Sequence, residues 1–108
     1  MDTATPFVPP KALTQLIDAA IAHKRAFSIV HGVDTGDCPF VQFKAVWLPE
    51  GCDVQTKVEM SWHTRGTGTY RFFSGIACGY WHDWTRVTAK AALQLITGED
   101  CFYQRYAA

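Results

Sequence analysis

The stretch "VQTKVEMSWH", residues 54–63, decides the fold. Val54, Thr56, Val58, Met60 and Trp62 fall on one side of an extended chain, and Gln55, Lys57, Glu59, Ser61 and His63 on the other. Successive side chains of a strand point to opposite faces, so a period of two describes a strand with one buried and one wet face. The flanking "PEGCD" and "TRGTG" are turn clusters, which end the strand on both sides. Working outward, "FVQFKAVWL" (40–48) sets Val41, Phe43, Ala45 and Trp47 against Gln42 and Lys44. "AFSIVHG" (26–32) is β-rich and is followed by turn residues, and "TYRFFSGI" (69–76) aligns Tyr70, Phe72 and Ile76. Such short connections suit hairpins, whereas parallel strands need long crossovers. A four-stranded antiparallel meander is expected.

Helical periodicity brackets the strands. Leu13, Leu16, Ile17, Ala20 and Ile21 recur at i, i+3, i+4, i+7 and i+8, which predicts a helix from Lys11 to about Arg25, entered through Pro9 and Pro10. Lys24 and Arg25 suit the negative end of its dipole. A second helix is predicted from an Asp83 cap through "WTRVTAKAALQLIT" (84–97), with Gly98 as a left-handed terminus and Trp84 on its core face. The expected fold is a single α+β domain over residues 10–108, of order α-β-β-β-β-α, with both helices on one sheet face. Residues 1–9 are expected to form a flexible N-terminal arm.

The 108 residues are 48% apolar and 19% charged, which is ordinary for a globular domain and too apolar for disorder. Ten basic residues balance ten acidic ones, so the totals supply no cationic surplus for phosphate-led binding. No apolar run is long enough to span a membrane, and "MDTATPFVPP" has no basic n-region or apolar h-region. Cys38, Cys52, Cys78 and Cys101 follow no metal-binding spacing and are expected as reduced thiols in a cytoplasmic protein.

Catalytic and cofactor signatures are missing. "CGYWHD" places Cys78 near His82, but no cysteine-peptidase signature surrounds them. His31, Cys38, His63, Cys78 and His82 form no paired metal-ligand motif. "GVDTGD" and "RGTGT" lack the layouts that cradle phosphates. Asp34, Asp37, Glu50 and Asp53 lie in turn clusters, where Asp bonds its own backbone. No metal, no cofactor and no enzymatic activity are expected.

Four tryptophans, four tyrosines and seven phenylalanines are many for this length. Tyr80, Trp81 and His82 fall in the predicted strand-to-helix connection, and Phe102, Tyr103 and Tyr106 in the C-terminal segment. Trp and Tyr dominate interface hot spots, so these six are the candidate partner-binding residues. Trp81 packed back over the helix start is the structural alternative.

"TRVTAKAAL" (85–93), opening the last helix after a run of strands, resembles the double-stranded-RNA-binding domain. In that family a Ser-Lys-Lys-x-Ala-Lys stretch at the second helix start meets phosphates. Thr85, Arg86, Ala89 and Lys90 match it in type, and Ala91 and Ala92 correspond to its packing alanines. The likeness is confined to this stretch. Four strands stand in place of three, Val87 replaces the second lysine and the net charge is zero. It implies phosphate contacts from Arg86 and Lys90, and the alternative expectation is a nucleic-acid module using the basic residues Arg65, Arg71, Arg86 and Lys90.

The leading expectation is a small non-enzymatic binding protein that occupies a surface of a larger macromolecular complex. Proteins of this kind are common among phage and mobile-element inhibitors of host systems, anti-CRISPR proteins among them. A protein partner is favoured, with nucleic acid, double-stranded RNA or a single strand, as the alternative. Self-pairing into a homodimer would protect an exposed edge strand or aromatic tail.

Overall fold

A computed structural model describes residues 9–64, 69–79 and 84–98. Helix α1 (Lys11–Ala22) is followed by strands β1 (Ala26–Val33), β2 (Pro39–Trp47), β3 (Thr56–Thr64), β4 (Tyr70–Cys78) and β5 (Thr85–Arg86), then helix α2 (Ala89–Thr97). The strands form one antiparallel sheet in the order β1-β2-β3-β4-β5. The fold is therefore α+β, with five strands and not four. The N-terminal arm, apart from Pro9, lies outside the described residues.

The period of two in β2 and β3 does what it implies. Val41, Phe43, Ala45 and Trp47 of β2 and Thr56, Val58, Met60 and Trp62 of β3 are all buried. They share one core with Leu13, Leu16 and Ala20 of α1 and with Ala92, Leu95 and Ile96 of α2. Both helices thus cover the same face, packed on each other, with α1 against β1 and α2 against β4. The opposite face is uncovered among the described residues, and Lys44 and Glu59 pair across it at 3.6 Å.

A bulge between Ser61 and Trp62 changes the register of β4. Before it Ser61 stands opposite Ser74, and after it Trp62 stands opposite Phe72, so Phe73 is the extra residue. Bulges shift side chains between faces. As a result Tyr70, Phe72 and Ile76 do not share a face. Tyr70 packs against the core and Phe72 meets Trp62 edge-on, while Ile76 stands opposite Glu59 on the open side.

The second helix also starts later than its periodicity suggests. Thr88, not Asp83, is the N-cap, and its hydroxyl accepts from the N–H of Ala91 at 3.1 Å. Thr85 and Arg86 pair with β4 instead, and the N–H of Val87 donates to the carbonyl of Gly75. Trp84 is consequently not a core residue. It is 42% exposed and lies beside the Lys57 ammonium. Gly98 has extended backbone, not a left-handed one.

The left-handed terminus belongs to α1, which ends at Ala22. Lys24 has φ 57°, its N–H donates to the Ile21 carbonyl, and the N–H of Arg25 donates to that of Ala20. This is a Schellman closure built on a lysine where glycine is preferred. Because a side chain in that conformation costs about 1 kcal/mol, Lys24→Gly should raise the unfolding free energy by about 0.5–1 kcal/mol in urea titrations.

Candidate functional site

The β1–β2 turn and the end of β3 meet on the open face. Asp34, Thr35, Gly36, Asp37 and Cys38 make a tight hairpin loop in which the N–H of Asp34 donates to the Cys38 carbonyl and that of Asp37 to the Asp34 carbonyl. Asp37 takes the left-handed position, with φ 60°. Asp34 Oδ1 accepts from the N–H groups of Gly36 and Cys38 at 2.9 and 3.0 Å, the turn role expected of an aspartate. Its second oxygen does something else. Oδ2 reaches over β2 to His63 Nδ1 at 2.8 Å, and His63 Nε2 lies 2.8 Å from Ser61 Oγ.

A carboxylate can only accept, so His63 carries its proton on Nδ1 in the neutral form. Nε2 is then an acceptor, and the Ser61 hydroxyl donates to it. The imidazole is held on both sides by aromatic rings. Phe40 stacks on it at 5.1 Å between ring centres, and Phe73, the bulge residue, lies at 4.4 Å. Phe40 can lie flat because its cross-strand partner is Gly32, where a Cβ would sit 2.6 Å from the ring. Beside His63 is a shallow depression of about 810 Å³, lined also by Val33, Thr35, Gly36, Thr64 and Phe73.

The His63 hydrogen bond, followed by that from the Cys38 N–H, holds the Asp34 carboxyl below its usual range. A depressed folded-state value means a stabilising contribution that is present above the unfolded value, 3.8, and lost as pH falls through the lower folded one. In urea unfolding at stepped pH, the stability gap between the native chain and Asp34→Asn should therefore narrow below about pH 4.

Of the sequence-derived candidates, Tyr80, Trp81, His82, Phe102, Tyr103, Tyr106 and Arg65 lie outside the described residues. Arg71 is exposed opposite His63, and Arg86 is exposed opposite Ile76, so register places both on the open face. Lys90 is in the first turn of α2, on the covered side of the sheet. Arg86 and Lys90 thus belong to different elements, and the helix start implied by the likeness to double-stranded-RNA-binding domains is not formed. Cys52 is disulfide-bonded, which corrects the expectation of reduced thiols at that position, while Cys38 and Cys78 remain thiols. Among the described residues no three His, Cys, Asp or Glu side chains are grouped to hold a metal ion. No described helix is long and apolar enough to cross a membrane.

No protein-family model matches the chain, and neither the curated proteins nor the solved structures compared with it give a significant match.

Proposed function

We propose that the chain is a binding protein, engaging a partner protein through the open face of its sheet. The observation that carries this is the aromatic row Phe40–His63–Phe73 on a face that the helices leave uncovered, with Phe73 63% exposed. Large apolar groups presented together on a rigid sheet mark interaction surfaces, and aromatics make the strongest anchors. Small size and the absence of a cofactor loop fit a stoichiometric inhibitor of a larger complex, of the kind encoded by phages and mobile elements. A second reading has its own support: Arg71, Arg86 and Lys57 share that face with the aromatics, the combination on which single-stranded nucleic acid stacks.

The test is capture of partners at moderate and high salt, with and without nuclease. The expected result is a stoichiometric protein that survives both treatments and whose affinity falls at least tenfold with Phe73→Ala, about 1.4 kcal/mol or more. Ile21→Ala, at an exposed apolar position on α1, should leave it unchanged. Binding to single-stranded oligonucleotides that weakens steeply with salt would replace the protein reading with the nucleic-acid one.

A further inference from the structure

We propose that Ser61, His63 and Asp34 form a nucleophilic triad and that Ser61 is acylated by small activated esters, an activity that goes beyond binding and does not depend on it. A serine hydroxyl is a weak nucleophile until an adjacent base takes its proton, and that base is most effective when a third group fixes its tautomer and orientation. All three relations are present. Ser61 Oγ is 2.8 Å from His63 Nε2, and His63 Nδ1 is 2.8 Å from Asp34 Oδ2.

The supports of each member are independent of the triad itself. Two backbone N–H groups fix the Asp34 carboxylate through its other oxygen. Phe40 stacks on the imidazole and Phe73 lies tilted against it, which restrains the ring from turning out of line. Ser61 stands on the central strand β3 rather than on a loop and is buried, with 9% exposure. Gln42 on β2 and Ser74 on β4 stand directly opposite it in register. Cross-strand neighbours on one face lie about 5 Å apart, which puts an amide and a hydroxyl on the strands flanking Ser61. The depression with Val33 and Phe73 in its wall is lined by the other two members, Asp34 and His63.

In the reaction Ser61 Oγ bonds to the ester carbonyl carbon while its proton passes to His63 Nε2. The tetrahedral adduct collapses, and the departing alkoxide takes that proton and leaves as the alcohol. Water then adds to the acyl carbon, again giving its proton to Nε2. Cleavage of the Ser61–acyl bond returns the proton to Oγ and frees the carboxylic acid.

The test uses the full chain with a fluorophosphonate, which is attacked by activated serine with loss of fluoride, and with p-nitrophenyl acetate. The expected result is one adduct, mapped to Ser61 by peptide mass, and an equimolar burst of p-nitrophenol. Both should be abolished by Ser61→Ala. His63→Gln should slow labelling at least about a hundredfold, the usual worth of a positioned base. Asp34→Asn should do the same while the fold persists, because an amide can donate to Nδ1 and so leave Nε2 protonated. A purely structural hydrogen-bond network would give none of these rate effects. No adduct on the native chain overturns the proposal, and so does an adduct formed equally fast in folded His63→Gln and Asp34→Asn. Should one of those variants fail to fold, the other makes the same comparison.

Discussion

Gly75→Ala should lower the unfolding free energy by about 3 kcal/mol, at the upper end of the usual cost of overpacking. Gly75 faces the core from β4, opposite Met60, and an added Cβ would sit 2.7 Å from both Met60 Cε and Sδ. A methionine end can move. The second obstacle cannot, since the same Cβ would be 2.6 Å from the backbone oxygen of Val87. Val87 is anchored there by its own N–H, which donates to the Gly75 carbonyl at 3.0 Å. Relief therefore requires displacing β5, and with it the segment that enters α2. Thermal unfolding should show a fall in Tm of roughly 10 °C. Adding Met60→Ala should not restore stability, because the backbone clash persists and the truncated core side chain leaves a cavity.

Arg25→Ala is expected to cost a similar amount, about 3 kcal/mol, through the loss of two hydrogen bonds from a charged donor and one ring contact. The guanidinium Nε donates to the Ile96 carbonyl at 3.0 Å and an Nη to that of Gly98 at 2.8 Å, while the group lies over the Trp47 ring at 5.2 Å. The last turn of α2 has no basic residue of its own. Arg25, from the end of α1, supplies the positive charge that the carbonyl end of α2 lacks. Its charge does not serve its own helix, as sequence position alone suggests. Arg25→Lys should restore less than half of the loss, since an ammonium cannot reach both carbonyls as a planar fork does. Urea unfolding of the three chains decides this.

The strands were legible because alternation leaves a direct trace in composition. Val58, Met60 and Trp62 had to be buried if Glu59 and Lys57 were wet. Helix α1 was legible for the same reason, at a different period. The β5 pairing was not, because two residues carry no period, and Thr85 and Arg86 were absorbed into the helical pattern that truly starts at Ala89. That error moved Trp84 from the open face into the core. The β4 bulge was equally silent, since one extra residue among "RFFS" changes faces without changing composition. The Ser61–His63 pair was visible as i, i+2 on one strand, but its meaning depended on Asp34, 29 residues away. Asp34 was correctly read as a turn residue from one carboxylate oxygen, and nothing in the sequence shows where the other one points. The aromatic candidates at 80–82 and 102–106 lie outside the described residues. The exposed aromatics found instead on the open face are Phe73 and Trp84, with Phe40 half-buried beside His63.

Every strand of the sheet pairs with its neighbour in the chain, while the two helices that close the core come from opposite ends of it, and Arg25 joins groups 71 and 73 residues apart. These two kinds of contact differ in when they can form. Hairpins require short loop closures and assemble early, whereas the helix–helix seam must wait for the whole meander. Arg25→Ala is therefore expected to leave the refolding rate nearly unchanged and to accelerate unfolding, because contacts absent from the transition state act on the native-state lifetime.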